Sequence, residues 1–180
     1  MQHQVETRER TVMGVNEHWL AAAAVVPQQR GPDWLGGIDG EAWTEGHGYY
    51  RGFSSSFAIP ADKEVWFHWP FQIAAGSRVS GFKLLWEVEG DARIGWAVAH
   101  HGGSERLPLT ERLAPLSGEP VPFDPPELRR DRYPPMHRIL SDLPLPEPLS
   151  SRFAMQLCIM VAGHAGGTVR FYGAAVTTAD

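Results

Sequence analysis

Cysteine, lysine and asparagine are nearly missing from this chain: its 180 residues include one Cys (Cys158), two Lys against 14 Arg, and one Asn (Asn16). A single cysteine excludes an internal disulfide and any zinc or iron–sulfur site built on several thiolates. Cys158 lies in the run Met155-Gln156-Leu157-Cys158-Ile159-Met160-Val161. Nothing near it in sequence lowers its pKa, so a buried, inert thiol is expected rather than a nucleophile. Excess positive charge is missing too. The net charge is −5, whereas a protein that holds nucleic acid by its phosphates carries a basic surface, so no nucleic-acid partner is expected. The longest apolar run, Trp19 to Pro27, has nine residues, about half of what a membrane-spanning helix needs, and no membrane partner is expected. His3, Glu6, Arg8, Glu9, Arg10 and Glu17 precede it, a mixed-charge lead unlike a signal peptide, which makes the expected location cytoplasmic. The preference for Arg over Lys reads as the codon usage of a GC-rich bacterial genome.

The chain is rich in turn formers and aromatics, with 19 Gly, 15 Pro and seven Trp, and 43% of its residues are hydrophobic. That composition suits a packed protein with many turns and stays short of low complexity. The length fits one domain over residues 1–180. Residues 1–17 are polar and aperiodic, and are expected to form a flexible or irregular N-terminal arm. Trp19 to Val26 reads as a helical turn or, preferably, a buried strand ending at Pro27. Six glycines between Gly31 and Gly48 mark loop.

From His47 the period is two. His47, Tyr49, Phe53, Phe57 and Ile59 share a parity, and Pro60-Ala61-Asp62 turns the chain. Val65, Phe67, Trp69 and Phe71 then alternate with Trp66 and His68, a strand covered on both faces. Phe82, Leu84, Trp86 and Val88 alternate with Lys83, Glu87 and Glu89, a strand with one wet face. Gly90-Asp91 is a hairpin candidate, after which Ile94, Trp96 and Val98 return along one face. Leu107 to Ser150 holds eleven prolines in 44 residues and reads as extended loop, with room for a short strand only at Met136–Leu143. Phe153–Ala162 and Val169–Val176 are two closing strands, joined as a hairpin by Gly163-His164-Ala165-Gly166-Gly167. Short strands without an amphipathic helix predict an all-β fold, an antiparallel, jelly-roll-like β-sandwich, with a small β-barrel as the alternative.

Val65-Trp66-Phe67-His68-Trp69-Pro70 resembles the Trp-Phe-His motif of an uncharacterised family of small all-β bacterial and fungal proteins. The likeness extends through His137-Arg138, Asp142-Leu143-Pro144 and Phe171-Tyr172-Gly173-Ala174-Ala175, over about residues 50–180. Phe71-Gln72-Ile73 departs from an Ile-Pro-Thr-Pro-like run usual in that family. The resemblance implies a compact all-β fold and carries no catalytic residues.

Eight histidines raise the question of a metal. His100 and His101 are adjacent and point to opposite faces of a strand, which fails the His-x-His spacing of a cupin-type site. A site assembled from His47, His68 and His100 on separate strands stays open, but no metal and no cofactor are expected. His68 is the leading catalytic candidate, as a neutral imidazole able to move a proton near pH 7; the competing reading is a buried histidine that locks the sheet. Glu87 is the second candidate, a base if its face closes into a cavity and a solvated carboxylate if it does not. Trp66, Trp69, Trp86 and Trp96, with Tyr49, are the candidate ligand-binding residues of an aromatic-lined pocket; the alternative is an aromatic core. Phosphate-loop and nucleophile-elbow motifs are absent. Two functions fit. One is a small-molecule-binding protein acting as a cofactor-free cyclase or isomerase on an apolar substrate. The other is a non-catalytic binding or self-assembling module, with a homodimer as one form.

Overall fold

Alternation of bulky and small residues, enriched in β-branched and aromatic types, lets a strand bury one face and expose the other. This pattern produces nearly all of the structure. The computed structural model describes residues 15–28, 48–50, 54–123 and 136–179. Its strands are β1 (Val15–Ala21), β2 (Val26–Pro27), β3 (Gly48–Tyr50), β4 (Ser54–Ile59), β5 (Lys63–Phe71), β6 (Arg78–His101), β7 (Glu105–Pro108), β8 (Glu119–Phe123), β9 (Met136–Ser150) and β10 (Met155–Ala179). A single 3-10 turn at Ala22–Ala24 is the helical element among the described residues. All pairings are antiparallel, in one open sheet whose main order is β2-β5-β10-β6-β9-β8.

β10 is the spine. Along one edge it pairs with β6 from Met155↔His101 to Ala179↔Arg78. Along the other edge it pairs in succession with β5, β4 and β1. Midway, all three neighbouring rows bend. Gly163 pairs with Ala92 and Gly167 with Gly90, so residues 164–166 of β10 oppose Asp91 alone. Gly166 has φ +85°, Gly90 +70° and Asp62 +56°, a region that glycine enters freely and aspartate tolerates. The Asp62 N–H donates to the Gly163 carbonyl at 2.7 Å, and the Asp91 carboxylate accepts the Ala165 N–H at 2.8 Å.

The bend folds the sheet onto itself. Layer one holds β2, β5, β7, residues 155–163 of β10 and 92–101 of β6. Layer two holds β1, β3, β4, β8, β9, residues 167–179 of β10 and 78–89 of β6. Rings from the two layers meet between them: Phe57 and Phe67 at 4.8 Å, Phe67 and Phe171 at 5.1 Å, Phe71 and Phe82 at 5.6 Å, Trp69 and Phe171 at 6.1 Å. The expected antiparallel β-sandwich is therefore observed, and its layers are halves of one sheet.

Several local expectations are corrected. Gly90-Asp91 and Gly163–Gly167 are not hairpin turns; β6 and β10 pass through them, because each continues against the same partner on both sides. Likewise β4 and β5 follow one another along β10 instead of pairing. Ile94 and Trp96 do not share a face. Ala97 pairs with Ile159, Trp96 with Met160 and Ile94 with Val161, so Gly95 is an extra residue that switches the parity. Ile94 is buried in the core with Ala97 and Ala99, while Trp96 turns outward. The 107–150 stretch is more ordered than its prolines suggest. β9 pairs with β6 through Leu143↔Phe82 and Pro144↔Gly81, resumes at Leu149↔Val79, and so carries Pro146 and Pro148 across an irregularity, where a missing N–H breaks no ladder bond. Residues 109–116 cover the edge of β6, donating from Leu109, Leu113 and Leu116 to the carbonyls of Ala97, Gly95 and Ile94. Val15–Glu17, expected in the arm, belong to β1. The rest of the arm, the glycine loop up to His47, and Phe53 lie outside the described residues. No helix among the described residues is long and apolar enough to cross a membrane.

Gly167 tests the bend. A Cβ there would lie 2.4 Å from the Glu89 carbonyl oxygen and 2.6 Å from the Ala92 nitrogen, both backbone. Gly167→Ala is expected to cost about 3 kcal/mol in chemical denaturation, through forced backbone displacement. Gly103→Ala has a left-handed φ of +74° with nothing within 4 Å, and its cost is expected to be about 1 kcal/mol, the backbone term alone. Equal losses in the two variants would refute the close-packed bend.

Candidate functional site

Parity decides where each candidate side chain goes. On β5, Val65, Phe67, Trp69 and Phe71 point into the core, so Trp66, His68 and Pro70 occupy the outer face of layer one. On β10 the same face carries Gln156, Cys158 and Met160, which pair with Pro70, His68 and Trp66. From β6 it receives His100 and Val98, opposite Gln156 and Cys158, and Trp96, opposite Met160. Trp66 and Trp96 meet edge to face, with centroids 5.6 Å apart. The guanidinium groups of Arg106 and Arg112 lie 5.8 and 5.5 Å from the Trp96 ring, a cation–π arrangement. Arg112 is also held by Glu64 at 3.3 Å.

At the edge of this face is an open cleft of about 520 Å³, lined by Val26, Pro27, Gln28, His68, Pro70 and Gln156. β2 forms one wall, since Val26 pairs with His68 and Pro27 with Phe67, and the Gln28 N–H donates to the Trp66 carbonyl at 2.8 Å. His68 is half-buried, and its Nδ1 lies 3.1 Å from Cys158 Sγ. Burial, with a smaller contribution from His100, holds the imidazole below the usual histidine range. Burial and Arg106 do the same to His100, whose Nε2 accepts a hydrogen bond from Arg106 Nε at 3.3 Å. Burial pushes the Cys158 thiol up to about 11. The dyad therefore rests as a neutral imidazole beside a protonated thiol, which is the opposite of an activated thiolate pair.

The remaining candidates do not join His68. Trp69 and Trp86 are core residues between the layers; Trp86 Nε1 donates to Ser141 Oγ at 2.9 Å. The four tryptophans thus divide into an outer pair and an inner pair, and they do not line one pocket. Glu87 lies on the outer face of layer two, with the core between it and His68. There its Oε2 accepts the Tyr172 hydroxyl at 2.5 Å and lies 3.8 Å from Arg170. Arg170 binds Glu89 through two hydrogen bonds of 2.5 and 3.0 Å, which holds the Glu89 carboxyl below its usual range. Desolvation, then the bond to Glu87, drives the Tyr172 phenol upward. Arg138 stacks 5.8 Å from Tyr172 and 5.4 Å from Phe123. Among the described residues Glu87 is one member of a half-buried ionic network. Tyr49 lies on β3 opposite Ser55, and its side chain is outside the described part.

No family model matches the chain, and no curated protein does. The site is read from its own chemistry. Among the described residues no group of three or more His, Cys, Asp or Glu side chains is placed to hold a metal ion; His47, one of the three separate-strand candidates, lies outside them. Sequence reasoning did not place Gln28, Gln156, Arg106, Arg112 or Tyr172 in any site. Each reaches its position through pairing between distant strands, and none stands in a recognisable motif.

Two expectations follow. The native protein should resist alkylation by a thiol reagent at pH 8, where a thiol of pKa about 11 is roughly one part in a thousand thiolate; unfolded protein should react fully. Rapid labelling of the folded state would contradict the buried dyad. For His68 the folded pKa lies below the unfolded value near 6.5, so the neutral form favours folding. That contribution is present above about pH 6.5 and is lost as pH falls below it through the folded value. His68→Gln should flatten the acid-side decline of stability in denaturation curves across that window, leaving the part due to His100.

Proposed function

We propose that this is a small-molecule-binding β-sandwich whose binding site is the cleft at the edge of layer one. The observation that carries this reading is the conjunction of an open, partly apolar cleft of about 520 Å³ with a half-buried imidazole on its wall. Small-molecule sites combine an apolar lining with a few placed polar groups. Val26, Pro27 and Pro70 supply the first, and His68, Gln28 and Gln156 the second. The expected site lined by all four tryptophans is replaced by a smaller one, because Trp69 and Trp86 pack the interior that such a pocket would occupy.

A second reading makes the protein a cofactor-free isomerase or cyclase at the same cleft, supported by the low pKa of His68. A neutral imidazole in contact with substrate can assist proton movement near pH 7. Glu87 has no part in this mechanism, since it stands on the other layer.

A screen of small uncharged compounds by two-dimensional NMR tests both readings. Binders should shift the resonances of His68, Gln156 and Gln28, and should raise the melting temperature by mass action, by about 2.7 kcal/mol of stability at one hundred times Kd. Gln156→Trp, which fills the cleft from an outward-facing position, should abolish these shifts with the fold retained. Binders that map elsewhere, or none at all, would overturn the cleft. If a bound compound is converted, His68→Gln should lower turnover by about 10²–10⁴-fold; binders without conversion leave a binding protein.

A further inference from the structure

The His68–Cys158 contact carries chemical information beyond the position of the cleft. A neutral imidazole has one N–H and one acceptor nitrogen, and the partner at each nitrogen selects the tautomer. Nδ1 faces Cys158 Sγ at 3.1 Å. Two hydrogen-bonded arrangements are available there. A thiol S–H can donate to the Nδ1 lone pair, or an Nδ1–H can donate to the sulfur. A thiol is a weak donor and its sulfur a weak acceptor, whereas an imidazole nitrogen is a good acceptor, which favours the first arrangement while the thiol keeps its proton. Cys158 is buried, which keeps it protonated. That arrangement would put the ring hydrogen on Nε2, which has no hydrogen-bond partner among the described residues, in a side chain that lines the cleft.

We propose that Cys158 is a positioning residue whose thiol fixes His68 as the Nε2–H tautomer, so that the cleft offers a hydrogen-bond donor and takes an uncharged ligand with a carbonyl-type acceptor. The ligand part of this inference rests on the cleft being the binding site; the tautomer part does not. The lining supports the ligand class. Val26, Pro27 and Pro70 are apolar, Gln28 and Gln156 carry neutral amides, and among the described residues no Asp, Glu, Lys or Arg lines the cleft. Arg106 and Arg112, charged neighbours of this face, are engaged with His100, Trp96 and Glu64. A charged ligand would shed water without meeting a counter-charge from the described lining. An amide, lactam or lactone instead finds an N–H from His68, paired donors and acceptors from two glutamine amides, and flat apolar contact from the prolines.

Long-range 1H–15N correlation spectra of the full chain, recorded above pH 7, test the tautomer without any ligand. The wild type should show His68 Nε2 protonated and Nδ1 bare. Cys158→Ser, whose hydroxyl also donates, should keep that pattern, and Cys158→Ala should let the Nδ1–H form appear. A residue that only fills space would alter stability without moving the tautomer. An Nδ1–H wild type, or an unchanged pattern in a folded Cys158→Ala, would overturn the proposal; if the alanine variant does not fold, the wild-type spectrum alone decides. The ligand class is tested with δ-valerolactam, cyclopentanecarboxylate and cyclopentylamine, read at His68, Gln28 and Gln156. The lactam should bind at least about tenfold tighter than either ion. A tighter acid or amine at the same residues would overturn the ligand class and leave the cleft standing. A compound screen with no binder at the cleft would instead remove the cleft itself, whatever the tautomer spectrum shows.

Discussion

A fold line across three neighbouring strands organises this protein. Asp62, Gly90 and Gly166 take left-handed φ values, and they stand where β4 passes into β5 and where β6 and β10 change layer. Because the three rows bend together, the hydrogen-bond ladder resumes on the far side with the same partners. Facing layers are then made without new chain crossings, and the aromatic rings from either side of the line come into contact. Gly167, pressed between the Glu89 carbonyl and the Ala92 amide, shows how little room the fold line leaves.

The same line separates the two polar regions. The outer face of layer one carries His68, Cys158, Trp66 and Trp96; that of layer two carries Glu87, Arg170, Tyr172 and Arg138. Phe57, Phe67, Trp69 and Phe171 fill the space between them. Two ionisable groups that appear close in a list of candidates are thus kept apart by more than the roughly 10 Å that separates packed sheets. Each region has its own electrostatic character. Around Glu87 charges are matched by charges, whereas around His68 burial keeps the groups neutral.

Local pattern was readable in the sequence, and long-range pairing was not. The alternation of Val65, Phe67, Trp69 and Phe71 against Trp66 and His68 placed both sets on their observed faces, since side-chain period is a property of the strand alone. The glycines at 90 and 163–167 read as hairpin turns in the sequence, because a reversal and a fold-over use the same residues. The two differ in whether the chain keeps its neighbour, and that depends on pairing far along the sequence. Gly95 is similar: an inserted residue looks like any other glycine until its partner strand is known. His68 and Cys158 lie 90 residues apart, and their contact exists because β5 and β10 pair in one register. A shift by one residue would send His68 inward and expose Trp69.

The prolines of the 107–150 stretch have a consequence for life at high concentration. β8 closes one end of the sheet, and two of its five residues, Pro120 and Pro122, have no N–H to offer. β9, next to it, adds Pro144, Pro146 and Pro148. A β-rich chain with an aromatic interior is exposed to edge-to-edge growth, in which each molecule templates the next through unpaired donors. Here the prolines interrupt the row of donors on the described end strand, which disfavours continuation of the ladder from it. The residues that made this stretch look unstructured in the sequence leave the described edge strand with fewer donors for another strand to pair with.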